Sequence, residues 1–294
     1  MKEIKNCLVC NSTSFEEHLK SKDFSVSKED FTILKCKDCN FHFTNPRPKN
    51  KELGRYYISD HYISHNNTSK NLFEKVYQLV RRIAIKGKYN LISGFFNKGR
   101  ILDIGCGTGD FLNKCKTEKW ETKGIEPSEI ARKQAITNYN LDVDESIDLR
   151  DLKGEFDVIT MWHVLEHVTE LNTTVSELKR LLSPDGKVII AVPNLESFDA
   201  SYYKKYWAAY DLPIHLYHFS KESIIKLFEN HGFSLRKTKG MKFDSFYVSM
   251  LSEEHKSEKK NFFKSILIGS ISNLYGIFTK RGFSSTIYVF EKSN

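Results

Sequence analysis

The sequence has no long apolar segment. Its first six residues contain no apolar run and lead directly into a cysteine pair, so no secretory signal is expected. The most apolar stretch, residues 262–278, is interrupted by a lysine, three serines and an asparagine. It therefore falls short of the ~20 apolar residues that a membrane span needs. The composition, 40% hydrophobic and 28% charged, excludes collagen-like and wholly disordered chains. We expect a cytoplasmic globular protein.

Cysteine is also scarce, and in a reducing compartment the six cysteines point to metal binding or free thiols rather than disulfides. Four of them form two C-x-x-C pairs separated by 25 residues: Cys7 with Cys10, and Cys36 with Cys39. Four thiolates at this spacing predict a tetrahedral structural zinc ribbon. An asparagine follows each pair, Asn11 and Asn40, and asparagine tolerates the positive φ of such turns. Buried free thiols are the alternative.

The excess positive charge lies entirely in the first third of the chain. Residues 1–99 contain 18 basic and 10 acidic side chains, whereas residues 100–294 contain 27 of each. Such asymmetry is typical of a polyanion-binding arm, but also of a lysine-rich surface without a ligand.

Three segments follow from the pattern of elements: a ribbon module at 1–45, a connecting segment with a helix at 46–99, and a larger domain at 100–294. Apolar residues at helical spacing from Leu72 to Ala84 predict the connecting helix, with Ser69 as its N-cap and its basic side chains in solvent.

Short apolar strands then alternate with helices, which predicts a parallel sheet covered on both faces. The expected strands are Arg100–Gly105, Glu121–Glu126, Phe156–Trp162, Lys187–Pro193, Leu235–Gly240 and Thr286–Glu291. The expected helices are Asp110–Lys119, Ser128–Tyr139, Asn172–Leu182 and Ser223–Asn230. We also expect a turn at Ser183–Gly186 and a charged linker at Ser252–Lys260.

A glycine loop follows the first of these strands. Gly105, Gly107 and Gly109 have the spacing G-x-G-x-G, and a dinucleotide fingerprint would need a further glycine that this sequence lacks. Asp110 already occupies the positive end of the next helix, which disfavours a phosphate there. Glu126, at the end of the following strand, is placed to accept hydrogen bonds from a ribose. The loop therefore favours a nucleoside ligand without a pyrophosphate.

These motifs resemble class I S-adenosylmethionine-dependent methyltransferases. The resemblance covers about residues 69–294 and extends to the segments 156–159, 162–168 and 181–186. Upstream, the four cysteines, Asn45–Pro48 and the tyrosines at 56, 57 and 62 are similar to a subgroup with an N-terminal zinc ribbon. The resemblance implies a Rossmann-like, doubly wound, mostly parallel seven-stranded sheet.

By this resemblance, the three glycines let the backbone approach the methionine part of the cofactor. Asp103 anchors the loop and the amino-acid end, Glu126 holds the ribose, and Ser146 lies where the family often contacts adenine. The remaining implied cofactor residues are Cys106, Pro127, Met161, Trp162 and His163.

The acceptor site is expected late in the chain, in insertions at about 195–222 and 252–282. His215 and His218 lie three residues apart in an aromatic segment and are candidate general bases. His167 is a third candidate. The alternative is that these histidines are structural and shape the pocket. The Asn/Asp-Pro-Pro-Tyr/Phe motif of adenine and cytosine amino-group methylases is absent, which puts such substrates in doubt.

Three functions compete. The first is O- or C-methylation of a small molecule or glycan precursor, such as a sugar. The second is an RNA methyltransferase whose basic ribbon binds phosphates. The third is a non-catalytic interaction protein on this fold, against which the intact glycine loop argues.

The apolar segment 262–278 is interpreted either as a helix packed on the domain or at a dimer interface, or as a peripheral membrane contact.

Overall fold

The computed structural model describes residues 1–57, 72–146, 148–259 and 261–293. Its centre is a seven-stranded sheet made of β4 (Arg100–Ile104), β5 (Glu121–Ile125), β6 (Val143–Asp144), β7 (Phe156–Trp162), β8 (Leu182–Pro193), β10 (Phe233–Met241) and β11 (Ser285–Lys292). The strand order is β10-β11-β8-β7-β4-β5-β6. Only β11 runs antiparallel to the other six strands, which confirms the predicted Rossmann-like, mostly parallel sheet.

Helices cover the sheet. The central strand β7 is therefore buried along almost its whole length, as expected for a parallel sheet with both faces covered. The helices are α1 (Leu72–Ser93), α2 (Asp110–Thr117), α3 (Glu129–Tyr139), α4 (Leu171–Leu181), α5 (Phe198–Tyr203), α6 (Lys221–Glu229), α7 (Asp244–Ser257) and α8 (Phe262–Phe278). Short 3₁₀ turns occupy Asn50–Tyr56, Leu149–Asp151, Lys204–Tyr206 and Ala208–Tyr210.

A second sheet, of four strands, contains the N-terminal cysteines. It consists of β1 (Phe15–Lys22), β2 (Asp30–Cys36), β3 (His42–Thr44) and β9 (Tyr217–His218), in that order. The last strand comes from the expected acceptor segment: Phe43 pairs with Tyr217 and His42 with His218. The cysteine-containing segment is thus joined by backbone hydrogen bonds to the residues that follow His215. The boundary at residue 45 stays a prediction.

The turn expected at Ser183–Gly186 is wrong. The structure includes these residues in β8, whose pairing with β7 is irregular there: Phe156 pairs with Leu182, and Val158 pairs with Lys187. Between these two pairs, β8 has four residues where β7 has one. The Pro-Asp-Gly sequence therefore marks an irregularity within the strand β8 and not a turn that precedes it.

The charged linker expected at Ser252–Lys260 is also wrong over most of its length, because α7 continues to Ser257. The helix buries serines and Glu253 instead of large apolar residues, so its sequence has little helical periodicity. Glu253 pairs with Lys264 of α8, with a carboxylate–ammonium distance of 3.0 Å. Small residues on the packed face allow the two helices to approach closely.

Two sequence-based expectations fall outside the described residues: the N-cap at Ser69 and the resemblance that involves Tyr62. Across the described ranges, no helix combines the length and the apolar character needed to cross a membrane.

Candidate functional site

A cavity of about 450 Å³ opens at the carboxyl ends of β4 and β5, and we call it the glycine-loop pocket. Gly105 has φ +70°, and a Cβ there would lie 2.5 Å from a methyl carbon of Val164, so only glycine fits. Of the predicted cofactor residues, Asp103, Gly105, Cys106, Gly107, Glu126 and Trp162 line the pocket. Arg81, Lys88, Ser128, Ile130, Ala131 and Gln134 line it as well.

The Glu126 carboxylate is fixed at one wall of this pocket. It accepts hydrogen bonds from the backbone amides of Gly107 and Ser128, both at 2.8 Å, through different oxygens. Each carboxylate oxygen has a second lone pair, so Glu126 can accept from a vicinal diol without releasing the loop.

Asp103 lies at the base of the pocket and is almost wholly buried. Thr160 donates a hydrogen bond to it at 2.5 Å, but burial dominates and raises the pKa of the Asp103 carboxyl to about 7. The pocket therefore contains an acid that titrates near neutral pH.

Helix α1 contributes two cations to this pocket, Arg81 and Lys88, although its sequence pattern predicts that the basic side chains lie in solvent. Arg81 forms an ion pair with Asp110 at 2.5 Å and donates to Thr108. The ammonium of Lys88 lies 4.4 Å from the Trp162 ring centroid, and burial lowers the pKa of Lys88. Arg81 and Lys88 are seven residues apart, a spacing that places two side chains on the same face of a helix. This spacing is the feature of the sequence that could have predicted that both cations face the pocket.

Other predicted cofactor residues are not part of the pocket lining. Met161 is fully buried in β7, Gly109 packs on α3, and Pro127 follows Glu126. Ser146 is exposed, and its hydroxyl accepts from the Asp148 amide at 3.1 Å. Their roles toward a cofactor stay predictions.

His163 follows β7 with φ +59°, in the left-handed region. Its Nε2 lies 3.0 Å from Asp244 Oδ2, and its Nδ1 lies 3.4 Å from Glu166 Oε1. Burial alone would lower the pKa of His163, but the two carboxylates outweigh it and raise the pKa to about 10. The ring is therefore an imidazolium at neutral pH.

Glu166, His167 and His215 form a compact group that we call the EHH cluster. One ligating atom from each residue lies within 4.8 Å of the others, and the two imidazole centroids are 4.5 Å apart. Burial lowers the pKa of both histidines, that of His167 to about 4, so both rings are neutral at pH 7. The structure thus brings together two of the three histidines predicted as catalytic.

His218, the third, lies in β9. Its Nε2 is 3.0 Å from the Thr44 hydroxyl, and its ring contacts Tyr210 edge to face. These contacts are those of a satisfied core histidine, and a catalytic role for His218 stays a prediction.

The four N-terminal cysteines converge as expected. Their sulfur atoms lie within 4.8 Å of one another, with Cys7–Cys39 and Cys10–Cys36 distances of 3.5 Å. Four thiolates at such separations suit a tetrahedral zinc ion with about 2.3 Å bonds. Asn11 and Asn40 have φ of 62° and 57°, which confirms the predicted left-handed turns.

Three features together define a class I S-adenosylmethionine-dependent methyltransferase fold: the order of the strands, the glycine loop after β4, and the glutamate Glu126 after β5. A family model described as a methyltransferase domain matches residues 70–238, and the chain belongs to this family.

Among curated proteins, the chain is similar to the ubiquinone biosynthesis O-methyltransferases. That of Erwinia tasmaniensis is 31% identical over 115 residues, 36% of this chain and 46% of that protein. That of Actinobacillus pleuropneumoniae is 34% identical over 119 residues, 35% of this chain and 48% of that protein. The chain spans about half the length of these relatives.

Solved structures show the same fold at low identity. Magnesium protoporphyrin IX methyltransferase from Synechocystis, with bound SAH, has a TM-score of 0.55 and 16% identity, covering 83% of this chain and 100% of that one. A structure of the Trm112 methyltransferase activator in complex with a putative methyltransferase, from Haloferax volcanii, has a TM-score of 0.53 and 14% identity. The match covers 75% of this chain and 95% of that one.

Proposed function

We propose that this protein transfers a methyl group from S-adenosylmethionine to an oxygen or carbon of a small molecule or glycan precursor, such as a sugar. The observation that carries the proposal is the position of the EHH cluster beside the glycine-loop pocket. Trp162 lines the pocket and Val164 covers Gly105, while Glu166 and His167 follow in the same loop. None of the three EHH residues lines the pocket, but this continuity along the chain supports placing proton-accepting groups near the transferred methyl group.

Bound S-adenosylmethionine supplies an electrophilic methyl group on a cationic sulfur. In our proposal Glu126 accepts from the ribose hydroxyls, Asp103 accepts from the methionine ammonium, and Lys88 faces the carboxylate. Most of the acceleration then comes from positioning and water exclusion, and the EHH cluster removes the proton of the acceptor.

The affinity for S-adenosylmethionine is expected to fall as pH falls below 7. Asp103 has a raised pKa of about 7 in the free protein, because burial outweighs the effects of Lys88 and Thr160, while Glu126 opposes ionisation. The methionine ammonium needs the ionised form, so the proton must leave on binding. We expect about an eightfold weaker affinity at pH 6 than at pH 7.5, measured by calorimetry.

Asp103→Asn is the matched control for this pH dependence. The variant should bind more weakly at pH 7.5 and lose most of the pH dependence. A wild-type affinity that is constant between pH 6 and 7.5 would exclude this role for Asp103.

The ribbon is proposed to hold a structural zinc ion in Cys7, Cys10, Cys36 and Cys39. Four sulfur ligands leave no open position, so this metal takes no part in the chemistry. Through the β3–β9 pairing the ribbon would instead hold the segment that carries His215. The six cysteines, all among the described residues, form no disulfide. We propose a cytoplasmic location for the protein.

Binding of RNA by the ribbon is the second candidate, which the charge asymmetry favours. Two basic side chains of this first third of the chain are paired, however: Lys35 of the ribbon with Glu16 at 3.1 Å, and Arg55 of the connecting segment with Glu29 of the ribbon at 3.2 Å. Such pairing reduces the field available to phosphates, so we rank the small-molecule acceptor first.

The exposed apolar side chains of helix α8 are relevant to which class of acceptor the protein uses. It packs through small residues, including Gly269, Ser272 and Gly276, while large apolar side chains face outward; Phe263 and Phe278 are 88% and 82% exposed. We propose that this face contacts a membrane peripherally, near Lys280 and Arg281, and gives access to a lipid-linked acceptor.

The test is to follow a labelled methyl group. Purified protein is incubated with radiolabelled S-adenosylmethionine and a cell extract, which is then separated into RNA, protein, lipid and small-molecule fractions. We expect label in the small-molecule or lipid fraction, lost with Asp103→Ala and kept with the exposed control Asp185→Ala. Label mainly in RNA would overturn the ranking, and label in no fraction would contradict the proposed activity.

A further inference from the structure

We propose that the EHH cluster binds a divalent first-row transition metal ion, separate from the four-cysteine site and facing the acceptor. Two imidazole nitrogens and one carboxylate are a common ligand set for Zn²⁺, Mn²⁺ and Fe²⁺, and they leave coordination positions open. The first evidence is convergence: one ligating atom from each of Glu166, His167 and His215 lies within 4.8 Å of the others.

The second observation is the state of the Glu166 carboxylate. Its side chain is 1% exposed, and neither oxygen has a hydrogen-bond partner among the described residues. A buried carboxylate that accepts no hydrogen bond is costly, and such groups are normally hydrogen-bonded, paired with opposite charge or bound to a metal ion. His163 compensates for part of this charge, with its Nδ1 at 3.4 Å from Oε1. That distance leaves both oxygens able to coordinate.

The third observation is the orientation of the two histidines. Nδ1 of His215 lies 2.9 Å from the Ala209 carbonyl oxygen. Nδ1 of His167 lies 3.2 Å from the Ile214 carbonyl oxygen and 3.2 Å from the Tyr57 hydroxyl, which can accept as well as donate. A carbonyl only accepts, so each Nδ1 carries the hydrogen and each Nε2 keeps its lone pair. Backbone carbonyls that hold the second ring nitrogen in this way are the usual support of metal-ligating histidines.

The charge around the cluster also suits a cation. Asp211 Oδ2 lies 3.9 Å from His215 Nε2, so a second carboxylate is close to the cluster. The His163 imidazolium is already balanced by Asp244 at 3.0 Å. A divalent ion bound by Glu166, His167 and His215 would therefore have the Asp211 carboxylate nearby.

This inference deepens the proposed function, on which its chemical role rests. A metal ion held by the cluster would lower the pKa of a coordinated acceptor hydroxyl, whose proton would pass to water before methyl transfer. In the metal-loaded protein the coordinated ion would thus replace direct proton removal by His167 and His215, whose lone pairs it occupies. The acceptor class implied is a molecule with a hydroxyl, or two adjacent oxygens, able to coordinate the ion.

Binding of Mn²⁺ alone tests the site, because Mn²⁺ prefers oxygen and imidazole ligands and leaves thiolate sites to zinc. Zinc-loaded full-length protein is titrated with Mn²⁺ and followed by electron paramagnetic resonance, after zinc content has been measured. We expect about one Mn²⁺ per chain beyond the ribbon zinc. Glu166→Gln and His167→Ala should each weaken binding by at least tenfold.

Glu170→Gln is the matched control, since Glu170 lies four residues beyond Glu166 and its side chain is 61% exposed; it should bind Mn²⁺ like the wild type. Circular dichroism with unchanged zinc content shows that the variants are folded. Absence of Mn²⁺ binding to the wild type, or equal binding by Glu166→Gln, would overturn the proposal. Mn²⁺ binding without label transfer would contradict the proposed function and leave the metal site standing.

Discussion

His215→Ala is expected to lower the rate of methyl transfer by about 10²–10⁴-fold while leaving the affinity for S-adenosylmethionine unchanged. His215 is buried, is held by the Ala209 carbonyl and lies against His167. It is not part of the glycine-loop pocket lining. Loss of a group that accepts the proton, directly or through a bound ion, costs rate and not cofactor binding.

The measurement is single-turnover label transfer to the acceptor fraction, with cofactor affinity determined by calorimetry on the same protein. His231→Ala is the matched control, because the His231 Nδ1 also bonds a backbone carbonyl, that of Leu227 at 2.8 Å, but near the end of α6. A decrease of less than about threefold for His215→Ala would show that the residue is structural. A parallel loss of cofactor affinity would point to misfolding of the pocket.

Asp199→Ala is expected to destabilise the protein by about 3–5 kcal/mol. Asp199 is fully buried and accepts hydrogen bonds from three side chains: Trp207 at 2.7 Å, Ser272 at 2.6 Å and Ser284 at 2.6 Å. These donors belong to the 3₁₀ region after α5, to α8 and to the loop before β11. Alanine would leave all three buried and unpaired, at roughly 1–3 kcal/mol for each donor.

Equilibrium unfolding in urea, followed by fluorescence and circular dichroism, measures this loss. Asp185→Ala, at an exposed position in β8, should change the free energy of unfolding by less than about 0.5 kcal/mol. Asp199→Asn keeps the side-chain volume but replaces one acceptor oxygen with an amide NH2 group. That group cannot accept a hydrogen bond from the surrounding donors, so this variant should also be destabilised. A change below 1 kcal/mol for Asp199→Ala would mean that water or a rearrangement satisfies the three donors.

The glycine loop and the cysteine pairs could be predicted because local backbone chemistry determines them. Gly105 needs a positive φ at a close approach to Val164, and Asn11 and Asn40 allow the turns that orient the sulfurs. Alternating strands and helices predicted the parallel sheet for the same reason, since each element is encoded within a few residues. The failures, at Ser183–Gly186 and Ser252–Lys260, occur where packing overrides a local signal.

The sequence by itself determined the class of fold, the loop that begins the pocket and the four thiolates of the ribbon. Tertiary structure alone decided which distant side chains meet. The pairing of β3 with β9 joins the ribbon to the His215 segment, and α1 brings Lys88 over Trp162. Glu166 and His215 are 49 positions apart in the chain, and only the folded backbone places them in one cluster. Such contacts depend on the summed packing of many elements, which no short pattern encodes.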